Sequence, residues 1–498
     1  MSESSLSYYA TTHEHRSRLQ RGTVLAVASI AQFMVVLDVT IINVALPQMR
    51  TALHMSASGQ QWVINAYALT FAGFLMLGGR AADVFGRRRV FIAGLGTFTV
   101  FSLLGGFAQT GAELIAARAA QGIGGAILAP ASLSLLTATF TEHHERRRAL
   151  GVWSATAASG AAGGLFLGGL LTDLLGWRWV LFVNVPIGIA LVAGSLLSLS
   201  ESTVGPANRR LDLAGAVTVT AGMALVVFGI VSTDSYAWSS PRTIATLAGG
   251  AAILVSFVVI EARFASNPIV PLRTFRRRTL TLANTQSTIV GAVVFGCYFF
   301  LSLYLQDVKH YSPLRAGLAF LPMGLMTFAG ALVASRLVKR LGIRRQLVIA
   351  PLVTAAAVFW LSHLTAHSSY RGSLLVPLLL VGASIGVTFV PMTMAATMGV
   401  PPAESGLASG LLNTSRQVGG ALGLAVLATI ATAATQHADG LGAPHLAALT
   451  QGYTRGFLVI AAISVLGAVS AAFLSASTPG HDGRGAAPDE SQLIEVTV

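Results

Sequence analysis

Runs of about 20 apolar residues recur along the whole chain, and a helix of that length spans a hydrocarbon core of about 30 Å. Fourteen such blocks fall near residues 22–46, 60–79, 89–108, 113–137, 150–171, 180–199, 213–233, 243–262, 280–304, 317–337, 346–364, 373–398, 405–430 and 455–476. Lipid offers no hydrogen-bond partner to an open backbone, and the blocks are about twice as long as a membrane-barrel strand, so helices are the form they can take. The expected fold class is an all-α membrane protein. Composition agrees: 54% of the 498 residues are apolar and only 10% charged, against about 25% charged in ordinary soluble domains. Mean hydropathy is +0.70. A soluble enzyme, a disordered chain and a secreted disulfide scaffold are excluded. Cys297 is the only cysteine, which leaves no intrachain disulfide or multi-cysteine metal site. Nothing in the sequence implies a metal or a cofactor.

The formal charge of +13 is carried almost entirely by arginine, with Lys309 and Lys339 the only lysines. Alternate loops between blocks, counted from the N-terminus, hold 23 of the 32 basic residues, the other loops hold 7, and Arg118 and Arg416 lie inside blocks. Basic loops stay on the cytoplasmic side, so both termini are expected in the cytoplasm of a plasma membrane. The charge is therefore topological and implies no nucleic acid partner. Residues 1–21 are polar and contain Arg16, Arg18 and Arg21, and the first block is too long for a signal-peptide core. That block reads as an uncleaved first span after a cytoplasmic tail. The Arg-heavy, Ala- and Gly-rich composition fits a GC-rich bacterial source.

The chain repeats itself. Gly79-Arg80-Ala81-Ala82-Asp83-Val84-Phe85-Gly86-Arg87-Arg88-Arg89 follows the second block, and Ser335-Arg336-Leu337-Val338-Lys339-Arg340-Leu341-Gly342-Ile343-Arg344-Arg345 follows the tenth. The arginine, the second glycine and the basic tail align without a gap. A duplicated six-helix unit with an inserted pair explains this, and such repeats typify secondary transporters with a midplane site between halves. The expected division is 1–21 cytoplasmic tail, 22–199 N-terminal six-helix bundle, 200–279 inserted two-helix segment with flanking loops, 280–476 C-terminal six-helix bundle, and 477–498 disordered cytoplasmic tail.

Five motifs occur in order along these blocks: the Gly79–Arg89 loop, Leu37-Asp38-Val39-Thr40-Ile41-Ile42-Asn43-Val44-Ala45-Leu46-Pro47, Arg118-x-x-Gln121-Gly122-x-Gly124, Trp177-Arg178-Trp179 with Asn184-Val185-Pro186, and Gly410-Leu411-Leu412-Asn413-Thr414-Ser415-Arg416-Gln417-x-Gly419-Gly420. Over about residues 20–475 the chain resembles the fourteen-helix drug:proton antiporters of the EmrB/QacA type in the major facilitator superfamily. The resemblance implies the major facilitator fold, fourteen transmembrane helices arranged 6+2+6 with pseudo-two-fold related halves, and export of drugs against protons. It also implies a gating role for Asp83, Gly86, Arg87 and Arg88. The fifth helix departs from the family's antiporter motif, carrying Leu165 where that motif has proline, so no proline supplies its kink.

Asp38 is the central residue. It stands about sixteen residues into the first block, at roughly 24 Å of rise from the cytoplasmic end. A carboxylate there costs several kcal/mol unless it is paired, hydrated or protonated, which suits a group that loads and releases a proton; a hydrogen bond that only fixes packing is the alternative. Asn43 lies about 140° further around the helix and need not share its surface. Arg118, Gln121, Gly122 and Gly125 form one stripe, so Arg118 either faces a central cavity or pairs with a carboxylate and joins Asp38 in proton coupling. Arg416, Gly419, Gly420 and Gly423 repeat that spacing, with Asn413 and Gln417 alongside. Gly160, Gly164 and Gly168 give a flat face for close helix packing. Asp83, one turn beyond the second helix, can hold one conformation closed through contacts between halves, while Arg87–Arg89 also serve topology. Trp62, Tyr67 and Tyr298 are aromatic candidates for the cavity wall, beside Asn43, Gln121, Asn413, Arg416 and Gln417.

Neither lysine stands in a phosphate-binding loop, and no soluble segment is long enough for a catalytic domain. The chain is expected to be no enzyme and to draw on a gradient. One charge moving through 100 mV supplies about 2.3 kcal/mol. The expected function is proton-coupled efflux of amphipathic drugs or antibiotics by a monomer, with a small amphipathic substrate, protons and the lipid bilayer as partners. A dedicated exporter of one endogenous metabolite or an uptake facilitator is the alternative.

Overall fold

The computed structural model describes residues 3–199, 212–234, 236–265, 268–270, 272–398, 400 and 405–474. The tail expected at 477–498, Arg209, Arg210 and Arg484 lie outside the described residues. The described residues form fifteen α-helices: α1 Glu3–Ala52, α2 Ala57–Phe85, α3 Arg87–Phe107, α4 Gly111–Thr139, α5 His143–Leu175, α6 Trp179–Phe182, α7 Asn184–Ser198, α8 Leu213–Val231, α9 Pro241–Val259, α10 Arg278–Leu303, α11 Pro313–Leu341, α12 Ile343–Leu361, α13 Leu375–Thr397, α14 Ser405–Gly440 and α15 His445–Ala472. π-turns extend α9, α10 and the start of α13.

Thirteen helices among the described residues are long and apolar enough to cross a membrane. The expected fifth span falls in the 33-residue α5, whose apolar stretch among those residues is the shorter Gly163–Leu175. α1 begins at Glu3 and runs on without a break into the first span. No glycine or proline interrupts residues 3–21, so the helix continues back from its apolar part. Helix starts are set locally. Ser56, Thr110, Ser240 and Ser312 each accept a hydrogen bond from the backbone N–H three residues on, and proline follows Ser240 and Ser312 at the first helical position.

The same packing recurs in the two halves of the chain. α1 lies along α5, as α10 lies along α14; α2 lies along α4, as α11 along α13; α3 meets α7, as α12 meets α15. Gly86 and Gly342 turn the chain at matching places, with φ of 99° and 80°, a backbone region open to glycine. The halves meet where α2 packs on α14 and α5 on α11. α8 and α9 pair with each other, and α8 rests on α2 and α14 at that seam.

Candidate functional site

Asp38 and Arg118 are both fully buried, and their side chains form an ion pair of 2.6 Å between Oδ2 and Nη1. Gln121, one turn along α4 from Arg118, bridges the pair. Its Nε2 donates to Asp38 Oδ1 at 2.8 Å, and its Oε1 accepts from Arg118 Nη1 at 2.7 Å. Asn184, at the start of α7, donates to Asp38 Oδ1 at 2.9 Å and to Ser102 Oγ at 3.1 Å. Ser102 in α3 donates in turn to Leu181 O at 2.8 Å. Arg118 Nε donates to Val63 O of α2 at 3.3 Å, and its guanidinium carbon lies 4.3 Å from the centroid of the Tyr67 ring. One carboxylate thus ties together α1, α3, α4, α7 and, through Arg118, α2. Burial of two charges is tolerable only with this degree of compensation. The glycines of the stripe allow the approach: a Cβ at Gly122 would lie 2.5 Å from Tyr67 O, and one at Gly125 would lie 2.8 Å from Tyr67 Oη.

A cavity of about 1470 Å³ lies between the halves. Val35, Val39, Thr40 and Asn43 bring α1 to its wall, while Phe295, Tyr298, Phe389, Asn413, Arg416 and Gln417 line the other half. Asp38 and Arg118 are not on this wall. Asn43 and Asp38 do occupy different faces of α1. Gln121 is also off the wall, because both ends of its amide are engaged by the ion pair. Trp62 packs instead near Phe228 of α8, ring centroids 6.5 Å apart, and Tyr67 lies beneath Arg118 against α4. Of the aromatic candidates Tyr298 alone lines the cavity.

The cavity runs to the end of the bundle where α2 stops and α5 starts, with Arg80, Asp83 and Arg146 on its lining. At the other end the halves touch. Ser302 Oγ donates to Asn43 O at 2.7 Å, Gln306 Nε2 to Val44 O at 3.0 Å, and Ser312 Oγ to Asp173 Oδ2 at 3.4 Å. A Cβ at Gly317 would lie 2.7 Å from Leu165 O, so the departure from the family motif sits at this seam. Asp83 lies in the last turn of α2, not beyond it, since the helix runs to Phe85 and the turn is made at Gly86. It is exposed, and no described residue pairs with it. Arg88 Nη2 donates to Leu196 O at 2.9 Å and pins the loop to α7; Arg87 is half-buried beside it.

The flat face of α5 lies on α1. Thr40 Oγ1 donates to Gly160 O at 3.3 Å, and a Cβ would meet Phe33 O at 2.9 Å from Gly160, Leu37 O at 3.1 Å from Gly164, and Ile41 O at 2.5 Å from Gly168. In the other half Gly419, Gly420 and Gly423 bring α14 against Thr288, Phe295 and Ala292 of α10. Arg416 is half-buried. It donates from Nη2 to Asn413 Oδ1 at 2.6 Å and lies 5.3 Å from the centroid of the Phe389 ring. Sequence reasoning missed Asn184 as a partner of Asp38, and Ser102 as the partner of Asn184. The available signal was an asparagine inside the Asn184-Val185-Pro186 motif, in an apolar block where an amide needs a partner.

Residues 28–424 match the family model described as Major Facilitator Superfamily. The chain is 42% identical to the Cephamycin export protein CmcT of Amycolatopsis lactamdurans, over 92% of this chain and 94% of that protein. It is 40% identical to the Puromycin resistance protein pur8 of Streptomyces alboniger, over 89% and 88%. Among solved structures, that of an auto-inhibited peptide transporter of the POT family covers 94% of this chain and 99% of its own at a TM-score of 0.69. At 15% identity that likeness shows the fold alone.

Proposed function

The chain belongs to the Major Facilitator Superfamily, and on that premise we propose that it is a proton-coupled exporter of amphipathic antibiotics or drugs working by alternating access. The full layout is fourteen spans arranged 6+2+6 in the plasma membrane, with both termini in the cytoplasm. The arginine-rich end is then cytoplasmic, and the cavity opens toward the cytoplasm. The observation that carries the reading is the Asp38 cluster: an ionisable pair, completely buried, directly behind the wall of a cavity that is open at one end only.

The coupling follows from what a proton does there. Protonation of Asp38 removes the charge that Arg118, Gln121 and Asn184 all address. Arg118 then keeps Gln121 Oε1 and Val63 O as partners, and the link between α1, α4 and α7 weakens. The two protonation states favour different packings of one half, which is the differential interaction a ligand needs in order to shift a conformational equilibrium. Asp38 loads from outside while the outer seam is open. It releases to the cytoplasm while the seam closed by Ser302, Gln306 and Ser312 is in place. Substrate enters the cavity in that second state and leaves in the first. Asp83, exposed at the mouth here, gains a partner when the mouth closes.

The test is transport by purified protein in proteoliposomes with an imposed pH gradient. Asp38→Asn is expected to abolish gradient-driven accumulation while substrate exchange without a gradient persists. Gradient-driven efflux that survives Asp38→Asn would falsify this mechanism. A second reading, a dedicated exporter of one endogenous metabolite, is favoured by the match to a protein named for cephamycin export. A panel of unrelated amphipaths separates the two, since a dedicated exporter is inhibited by one chemical series only.

A further inference from the structure

Arg416 stands nine residues into the apolar span Leu407–Gly440, about 14 Å of rise from its start and close to the middle of a hydrocarbon core of about 30 Å. Its one described hydrogen bond goes to Asn413. No carboxylate among the described residues pairs with it. It lines the cavity and is not sealed behind it. The other charged residues on the lining, including the carboxylates Asp83, Asp212 and Glu261, lie at or near helix ends around the mouth. Among the described residues, the middle of the cavity therefore carries one positive charge and no negative charge. A guanidinium at membrane depth is costly unless something compensates it. The protein compensates Arg118 with Asp38 and leaves Arg416 to the cavity.

We propose that Arg416 recognises the charge of the substrate, and that the transported molecule is an amphipathic organic anion: a carboxylate on an apolar or aromatic body. This rests on the transport reading above and names its substrate class. The guanidinium offers the planar fork that binds a carboxylate with two parallel hydrogen bonds. Phe295, Tyr298 and Phe389 supply the apolar surface beside it. A lipophilic cation finds no counter-charge at this depth and is repelled by Arg416. Exchange has an electrical consequence: one proton moving in and one carboxylate anion moving out carry two positive charges inward per cycle. Membrane potential then drives export directly, and the cycle is electrogenic at one-to-one stoichiometry.

The test uses the full chain in proteoliposomes with three probes: a fluorescent aromatic carboxylic acid, its methyl ester, and ethidium. On the unmodified protein the acid is expected to be transported, to compete better than its ester, and to respond to imposed potential with two charges per molecule. Arg416→Gln is expected to lower the apparent affinity for the acid at least about ten-fold, the loss of a hydrogen bond to a charged group, with the ester unchanged. Arg416→Lys restores part of the loss. Retained ester transport shows that the variant is folded. Equal losses for acid and ester, or gradient-driven movement of ethidium without the acid, overturn the proposal and leave the transport reading standing. Movement of none of the three by the unmodified protein overturns both.

Discussion

The two halves share a packing plan and spend their charge differently. In the first half a cation and a carboxylate face each other behind the cavity wall, with Gln121, Asn184 and Ser102 closing the network. In the second half the described residues at the corresponding positions are polar but neutral. Ser470 of α15 donates to Gln286 of α10 at 3.0 Å, and Thr354 and Ser384 share a bond of 2.7 Å. Its one deep cation, Arg416, faces the cavity. A sealed charge pair can change protonation and repack its own half; a cation on the wall can meet a substrate. On the proposed reading, the first half handles the proton and the second half recognises the substrate.

The largest contrast is expected from truncating the two arginines. Arg118→Leu strands a buried carboxylate and is expected to cost about 3–5 kcal/mol, read as a lowered melting temperature in detergent. The double variant Asp38→Asn with Arg118→Leu recovers most of that loss, because no uncompensated charge remains. Arg416→Leu is expected to cost about 1 kcal/mol or less, since Arg416 lines the cavity and no described neighbour carries a charge that its loss would strand. Similar losses for the two arginines would break the comparison.

A smaller contrast tests the polar bonds across the equivalent helix pairs. Asn184→Leu removes donors from Asp38 and from Ser102 and is expected to cost about 1.5–3 kcal/mol, the range for a bond to a charged group. It also slows proton-driven transport more than exchange. Ser470→Ala removes one bond to a neutral amide and is expected to cost about 1 kcal/mol with transport unchanged. A coupling defect in Ser470→Ala would mean that proton handling extends into the second half.

Much of this division was legible in residue types. A lone carboxylate in an apolar block calls for a partner, water or a proton, and Arg118 is the one arginine of that half placed inside a block. The repeated loop fixed the correspondence of the halves. What the sequence could not supply was facing. The polar residues Gln60, Gln61 and Asn65 of α2 are themselves buried, so polarity along this helix does not mark which side faces the cavity. Trp62 and Tyr67 were for that reason expected on the cavity wall, and they lie against α8 and α4. The partnership of Asp38 with Asn184 spans 146 residues, and no local spacing encodes a contact made by tertiary packing. Asp83 was displaced by only a turn, because the helix end is set by Gly86 and not by the acidic residue.

The smallest contrast concerns the two turns, where the halves are expected to behave alike. Gly86 and Gly342 sit at φ of 99° and 80° with ψ of 133° and 159°, a region that is essentially restricted to glycine. An alanine at either position strains the backbone by about 1–3 kcal/mol. Open space surrounds the Cβ position of Gly342, so strain alone sets its cost. Melting temperatures of Gly86→Ala and Gly342→Ala should therefore fall together. The loops nonetheless carry opposite charges one turn earlier, Asp83 in the first and Lys339 in the second. If the turns serve only to join helices, both alanine variants transport normally at temperatures where they are folded. If the first turn also aims Asp83 at a partner across the closed mouth, Gly86→Ala lowers transport and Gly342→Ala does not. Equal stability with unequal transport would then locate the gate in the first loop, in the half that also holds the buried Asp38–Arg118 pair.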